Sequence, residues 1–297
     1  MPDISTYALQ YSGVDFNAIH SSSFDLFITE GRPVDGGGAI TDVQVDALQA
    51  QGRIVLGYVN VAVTDDTRYY WRPTWTNNEH DTGTPTAAAP AWLRAGTPVD
   101  FTGDGVQDAL IVDFADPAWQ QEVIRQAVEL VQNRGYSGVF LDDVASYDLT
   151  FNDQQRQDPA IRAIIDRNAM EMAKLVAAVA QAIGPAARVF VNVDPYMTNY
   201  IPNTTEGSAA KQSYFAAVDG YLFENPTVRY LDDGRINLPA DAPFLILRSQ
   251  AGISDADARA RGVLYSAPTR STIRSGPPLM RRRWARTCWP AGSDRTA

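Results

Sequence analysis

Two segments that end in carboxylates carry the strongest chemical signal in the sequence. In residues 135–144, a short apolar run is followed directly by Asp142 and Asp143. In residues 219–225, a similar run ends in Glu224. Acidic side chains at the carboxyl ends of buried parallel strands are typical of catalytic sites in barrel and open α/β enzymes. Two such groups predict an acid/base or nucleophile/acid pair, the arrangement on which glycoside hydrolysis depends.

The choice between the two adjacent aspartates is open from the residues themselves. Neighbouring residues of a strand point to opposite faces, so only one of Asp142 and Asp143 is expected to face a pocket. A strand-end acid can also cap a helix or pair with a cation, and this structural role is the alternative for Asp142 and for Glu224. The shared spacing of the two segments favours the catalytic interpretation.

Polar and aromatic residues near the ends of other predicted strands are candidates for binding a sugar. Aromatic rings stack on the apolar C–H faces of sugars, and amides and carboxylates bind hydroxyl groups. For Trp71 the alternative is core packing, and for Asn192 it is a turn before a proline. The predicted substrate-binding residues are Tyr7, Gln10, Tyr58, Arg68, Trp71, Asp143, Asn192 and Asp194.

The elements that must position these residues alternate between strands and helices. Strand-like segments occur at residues 7–10, 25–29, 54–59, 138–141, 188–193, 220–223, 244–247 and 262–265. Helical periodicity and capping residues predict helices over 41–51, 117–133 and 159–183. Eight strands alternating with helices predict an α/β fold of the (β/α)8 TIM-barrel type. An open doubly wound sheet is the alternative, although no G-x-G-x-x-G follows the first strand.

Two stretches depart from this alternation. Residues 77–105 are polar and rich in Thr, Gly, Ala and Pro, which predicts an extended loop over the barrel mouth. Residues 270–297 hold seven Arg and one Asp and show no periodic apolar face. We therefore predict a catalytic barrel over residues 1–269 and an atypical basic tail over 270–297, of altered reading frame or disordered. Because this tail does not resemble a final barrel helix, we expect incomplete closure after the eighth strand.

Composition narrows the classes of partner and cofactor. The formal net charge of −10 disfavours nucleic acid and anionic membranes, and it suits a cationic or neutral substrate. No apolar run reaches the length of about 18 residues that a membrane span needs. The single cysteine, Cys288, and two isolated histidines, His20 and His80, provide no zinc site and no Ser-His-Asp triad. We therefore expect no metal and no cofactor. We also expect the protein to be a monomer.

The order of these segments resembles glycoside hydrolase family 114, the endo-α-1,4-polygalactosaminidase-like proteins. The resemblance spans roughly residues 6–266, and residues 134–142 are its most specific part. It implies a (β/α)8 barrel with Asp142 as nucleophile and Glu224 as acid/base, by similarity to related retaining barrels. It also implies an α-linked, galactosamine-containing exopolysaccharide of bacterial origin as substrate. A secreted or extracellular location is implied too, although no N-terminal signal peptide is visible and a cytoplasmic location stays open.

The sequence departs from the pattern of this family at three places. Ala62 and Val63 stand where the family usually carries Gly-Glu, Ala145 replaces a common Asp, and Arg248 replaces a common acid. These changes leave the sugar and its linkage open. They also sustain a second hypothesis, a non-catalytic carbohydrate-binding barrel derived from such an enzyme. A metal-dependent hydrolase is a weaker third hypothesis, because no cluster of histidines is present.

Overall fold

The computed structural model describes residues 4, 6–10, 14–32, 39–100, 105, 107, 109–148, 150–152, 154–194 and 196–224, with the backbone of 244–247 and 264–265. Glu224 is described by its backbone alone. The strands within these ranges are β1 (Tyr7–Gln10), β2 (Leu26–Glu30), β3 (Ile54–Asn60), β4 (Val63–Thr64), β5 (Thr97–Val99), β6 (Ala109–Ile111), β7 (Gly138–Asp142), β8 (Arg188–Asn192), β9 (Gly220–Glu224), β10 (Phe244–Leu247) and β11 (Leu264–Tyr265).

Eight of these strands form one parallel sheet, in the order β1-β2-β3-β7-β8-β9-β10-β11. The eight strands correspond to the eight segments predicted from the sequence, and the barrel-type α/β fold is confirmed. Within the part of the chain that the structure describes, no pairing joins β11 to β1, so the sheet is a curled half-barrel.

The helices cover the outside of this sheet. They are α1 (Phe16–His20), α2 (Asp42–Gln49), α3 (Ala91–Arg94), α4 (Pro117–Val128), α5 (Pro159–Ile183), α6 (Met197–Tyr200) and α7 (Thr205–Ala217). Capping residues begin the three helices that the sequence predicts, α2, α4 and α5, and Thr41 and Asp116 are predicted caps. Thr41 forms a capping box with Gln44, and Asp116 and Asp158 accept hydrogen bonds from the first turns of α4 and α5. The predicted helix 117–133 is α4 followed by one π-helical turn, Glu129–Asn133.

Strand residues alternate between two apolar clusters. The outer cluster joins one face of the sheet to the helices and includes Val139, Leu141, Val189 and Val191. The inner cluster consists of residues of the parallel strands and fills the inside of the curled sheet. Its buried members are Tyr7, Leu26, Ile28, Ile54, Leu56, Tyr58, Phe140, Phe190 and Leu222. Asp142 follows Phe140 by two residues, and this spacing continues the inner face of β7.

Glycines begin the two strands that end in the predicted catalytic acids. A Cβ atom on Gly138 would lie 2.0 Å from the carbonyl oxygen of Arg188, and one on Gly220 would lie 2.3 Å from the Phe190 ring. The missing side chains let β7 approach β8 closely and leave space for Phe190. Close packing therefore explains the glycine that begins the recurring Gly-x-apolar-apolar-acid pattern. The acid that ends the pattern lies at the carboxyl end of the strand.

Between β3 and β7 the chain leaves the barrel and forms a side sheet, in the order β4-β6-β5. A tryptophan cluster holds this excursion against the barrel, with ring centroids 4.7–5.9 Å apart between neighbours. The cluster consists of Tyr70, Trp71, Trp75, Trp92 and Trp119. The prediction of an extended loop over 77–105 is wrong in part, because α3 and β5 lie within it. Burial of Trp92 in the cluster stabilises this short helix, which is too short to show periodicity.

Several predictions from the sequence lie outside the described residues. These are the basic tail 270–297, the domain boundary at 269 and the departure at Arg248. No helix in the described ranges is long and apolar enough to cross a membrane.

Candidate active site

Three polar residues end neighbouring strands at one level of the sheet. Asn60 pairs in register with Asp142 across β3 and β7, and Asn192 ends the next strand, β8. All three follow a residue of the inner cluster by two positions, after Tyr58, Phe140 and Phe190. The carboxyl end of the sheet therefore carries an amide, a carboxylate and an amide side by side.

Asp142 is fully buried, and both of its carboxylate oxygens accept hydrogen bonds. The Tyr58 hydroxyl donates to Oδ2 at 2.8 Å, and the Asn192 amide donates to Oδ1 at 2.8 Å. Donors on both sides fix the plane of the carboxylate, which is how a reacting group is held in one orientation.

The same environment has opposing effects on the ionisation of Asp142. Burial raises the pKa of Asp142 above its ordinary value, and the donors Asn192 and Tyr58, the backbone amide of Asp143 and the charge of Arg68 act in the opposite direction. Burial and the negative charge of Asp142 raise the pKa of the Tyr58 hydroxyl well above its ordinary value. Tyr58 therefore keeps its proton and remains a donor to Asp142 over the physiological pH range.

Asp143 is separated from Asp142 by a sharp change in backbone direction. Its φ of 62° and ψ of 26° are left-handed, a conformation that aspartate tolerates better than most residues, and a 3₁₀ turn (Val144–Tyr147) follows. The Asp143 carboxylate accepts a 2.6 Å hydrogen bond from the Asn60 amide. The two acids thus have distinct surroundings, with Asp142 between two donors inside the sheet and Asp143 at its rim.

The positive charge of Arg68 lowers the pKa of both Asp142 and Tyr58 and so opposes the effect of burial. Its guanidinium pairs with Glu30 at 3.1 Å and with Asp65 at 3.3 Å, and it lies 5.5 Å from the centre of the Tyr58 ring. Burial raises the pKa of Glu30, while the Arg68 charge lowers it. Arg68 is therefore a half-buried cation next to the Tyr58 ring, and its contact with substrate stays a prediction.

The remaining predicted binding residues occupy different parts of the molecule. Tyr7 has no exposed surface and belongs to the inner cluster, while Gln10 ends β1 and is half-buried. Trp71 is half-buried in the tryptophan cluster, and its indole donates to the Glu79 carbonyl at 3.3 Å. Asp194 follows β8 and accepts a 3.0 Å hydrogen bond from the Tyr147 hydroxyl. Their contacts with substrate stay predictions.

Glu224 is the last residue of β9, which is separated from β7 by β8 alone. Asp142 and Glu224 therefore end strands that are next-but-one neighbours in the sheet. Glu224 follows Leu222 of the inner cluster by two positions, as Asp142 follows Phe140. The Glu224 side chain lies outside the described residues, and so does its distance from the Asp142 carboxylate.

In the described ranges, no group of three or more His, Cys, Asp or Glu side chains could hold a metal ion. The side chains around Asp142 are a second carboxylate, two amides and a phenol.

Sequence reasoning missed the part that Asn60 plays. An asparagine at a strand end is common, and its contacts become visible only when β3 and β7 pair in register. In the structure Tyr58 is a buried hydrogen-bond donor to Asp142, and its contact with sugar stays a prediction. The available signal was the Tyr-x-Asn spacing, which places both side chains on the inner face of one strand.

The fold and the site define a class, the parallel barrel-type proteins with a polar site at the carboxyl ends of their strands. The sequence model of glycoside hydrolase family 114 matches residues 27–204, which is more than half of the chain. The chain belongs to glycoside hydrolase family 114. The matched range contains Asp142 and ends before Glu224.

Two solved structures share the fold of the chain, and a curated relative shares part of its sequence. Two structures of the glycoside hydrolase domain of PelA from Pseudomonas aeruginosa, one of them a variant, share the fold with TM-scores of 0.55 and 0.51. They are 15% and 16% identical, and each comparison covers 90% of this chain and 96% of that domain. An uncharacterised protein from Deinococcus radiodurans is 29% identical over 137 residues, which are 46% of this chain and 38% of that protein. The match thus spans about two fifths of the length of this curated relative.

Proposed function

We propose that the protein is a glycoside hydrolase that cleaves α-linked galactosamine-containing polysaccharide with retention of configuration. The observation that carries the proposal is the Asp142 carboxylate, buried at the end of a barrel strand with a donor on each oxygen. Membership of glycoside hydrolase family 114 supports the reaction class.

In the proposed mechanism Asp142 is the nucleophile and Glu224 is the acid/base. An oxygen of Asp142 attacks the anomeric carbon while Glu224 gives a proton to the leaving glycosidic oxygen, which forms a covalent glycosyl–enzyme intermediate. Glu224 then removes a proton from water, and the water oxygen displaces Asp142 from the anomeric carbon. A retaining enzyme needs its two carboxyl groups about 5–5.5 Å apart, and the positions of β7 and β9, with one strand between them, are compatible with that distance.

The proposed substrate follows from charge and from the family. A partly deacetylated galactosamine polymer carries ammonium groups, and the formal net charge of −10 would attract it. Asn192 and Asp143 lie beside Asp142 and are proposed to bind hydroxyl or ammonium groups of the sugar. An extracellular location would suit such a polymer and is part of this proposal.

A second candidate function is non-catalytic binding of the same polysaccharide. The observation that favours it is the burial of Ala62 and Val63, which stand where the family usually carries Gly-Glu. A protein of this kind would bind the polysaccharide without cleaving it.

A hydrolysis screen tests the proposal. The whole chain is incubated with polymers of α-1,4-linked galactosamine, N-acetylgalactosamine and galactose, and new reducing ends are measured. We expect release from the polymers that contain galactosamine. Binding without release from any polymer would favour the second candidate, and neither binding nor release would reject both.

A further inference from the structure

The side chain of Asn60 uses all of its hydrogen-bonding capacity next to the proposed nucleophile. Its Oδ1 accepts from the backbone N–H of Ala62 at 3.1 Å and of Val63 at 2.7 Å. Its Nδ2 donates to the Tyr58 hydroxyl at 3.1 Å and to the Asp143 carboxylate at 2.6 Å. An amide has two acceptor sites and two donor hydrogens, so these four bonds leave it satisfied.

The backbone determines which way this amide points. If the amide were rotated by half a turn, its NH₂ group would face two backbone N–H donors, and its oxygen would face the Asp143 carboxylate. The observed orientation is therefore strongly preferred, and a donor is directed at the Tyr58 oxygen. Because that oxygen accepts from Asn60, the single hydroxyl hydrogen of Tyr58 is left to donate to Asp142 at 2.8 Å.

We propose that Asn60 is a positioning residue that fixes the direction of a hydrogen-bond chain running from the backbone at residues 62–63, through Tyr58, to the Asp142 carboxylate. The chain keeps a donor facing Asp142 and thereby holds the carboxylate in its ionised, attacking orientation toward the sugar. The inference rests on the role proposed above for Asp142.

The segment that anchors the chain is itself held in place. The Trp119 indole donates to the Val61 carbonyl at 2.7 Å, and the Val61 amide donates to the Asp142 carbonyl at 3.1 Å. Ala62 and Val63 are buried. The tryptophan cluster thus fixes the two N–H groups that orient Asn60, which gives the buried apolar pair at 62–63 a function in the site.

The charged and titratable groups that act on Asp142 and Tyr58 come from several elements. Within the described residues they are Asp143 at the end of β7 and Arg68 after β4, together with the partners of Arg68, Glu30 and Asp65. Asn60 and Tyr58 are uncharged, so substitutions that remove their polar groups test the hydrogen-bond chain without introducing a new charge.

The test is a double-mutant cycle on the ionisation of Asp142 in the whole protein. Carboxyl-carbon NMR follows the Asp142 signal, identified by its loss in Asp142→Asn, in the parent protein, Asn60→Ala, Tyr58→Phe and the double variant. We expect each single change to raise the pKa of Asp142. Tyr58→Phe removes a hydrogen-bond donor to the ionised carboxylate, and Asn60→Ala removes the amide that orients this donor. Adding Asn60→Ala to Tyr58→Phe should give less than half of the shift that Asn60→Ala gives alone, because residues of one network are not additive.

Kinetics provide the second measurement. In Asn60→Ala, kcat should fall about tenfold, the order of one hydrogen bond to a charged group, with little change in KM. In the pH profile of kcat/KM, the acidic limb should move to higher pH, because the pKa of Asp142 is raised. A purely structural role for Asn60 would lower stability and leave that limb in place.

Ser137→Ala is the matched control. Ser137 precedes β7 at the opposite end of the same strand pair, accepts from the Val55 amide at 3.1 Å and is contacted by Gln49 at 2.9 Å. Its loss should reduce stability without moving the pKa of Asp142. An unchanged Asp142 pKa in Asn60→Ala, or shifts that simply add, would overturn the proposal.

Two further outcomes keep the proposals separate. If Asn60→Ala does not fold, an unchanged Asp142 pKa in Tyr58→Phe overturns the chain by itself. If the NMR shifts occur as expected but no polymer is cleaved, the hydrogen-bond chain stands and the proposed hydrolysis fails.

Discussion

Asp142 is the residue on which the proposed chemistry depends most. We predict that Asp142→Asn and Glu224→Gln each lower kcat by at least about 10³-fold, since a nucleophile or a proton donor contributes roughly 4 kcal/mol or more to transition-state stabilisation. Steady-state kinetics measure the loss, and circular dichroism shows whether the fold is kept. Near-normal turnover in either folded variant would end its assignment.

Burial of Asp142 also predicts an effect on stability. The pKa of Asp142 is raised in the folded chain, so the unfolded chain ionises first and folding stability falls as pH rises between the unfolded and the folded pKa. Asp142→Asn cannot ionise, so its stability relative to the parent should be higher at pH 7 than at about pH 3, where the folded and the unfolded parent are both protonated. Thermal unfolding of both proteins at both pH values measures this. A relative stability of Asp142→Asn that is equal or lower at pH 7 would contradict it.

At the scale of single residues, the sequence predicts the acids better than their partners. The sequence shows where the strand before Asp142 ends, because an apolar run is followed directly by two charged residues. The bonds of Asn60, Tyr58 and Asn192 to the two aspartates depend on register between strands that lie 50 to 84 residues apart in sequence. No local pattern contains that register.

At the scale of elements, glycine at the start of β7 predicts a specific sensitivity. Gly138→Ala should destabilise the protein by more than about 2 kcal/mol, because its Cβ would lie 2.0 Å from a backbone oxygen that cannot rotate away. Gly52→Ala is the control, since nothing lies within 4 Å of a Cβ there and only its positive φ of 82° opposes the change. That strain is worth about 1–2 kcal/mol. Chemical denaturation measures the free energy of unfolding of both variants. A loss of stability in Gly138→Ala that is equal to or smaller than that in Gly52→Ala would contradict the prediction.

The elements themselves were largely predictable. Caps at Thr41 and Asp116 and apolar periodicity locate α2, α4, α5 and the parallel strands to within a few residues, whereas α7 is not predicted. The side sheet and α3, which lie between β3 and α4, were not predictable, because these elements are only two to four residues long. Their stability comes from the tryptophan cluster, a tertiary contact that brings together residues from 70 to 119.

At the scale of the whole molecule, net charge predicts how substrate binding responds to salt. The chain has a formal net charge of −10, so KM for a cationic galactosamine polymer should rise as ionic strength increases. Screening shortens the reach of charges from about 8 Å at physiological ionic strength to about 3 Å at 1 M. A fully N-acetylated, neutral polymer of the same linkage is the matched control and should show little change. Equal salt dependence for both polymers would show that charge does not select the substrate.

The configuration of the first product tests the retaining mechanism most directly. A ¹H NMR time course with α-linked galactosamine oligomers distinguishes the α- and β-anomers before mutarotation mixes them. We predict that the α-anomer appears first with the parent protein, and that no product appears with Asp142→Asn. A β-anomer as first product would rule out the retaining mechanism, and equal turnover by Asp142→Asn would rule out Asp142 as the nucleophile.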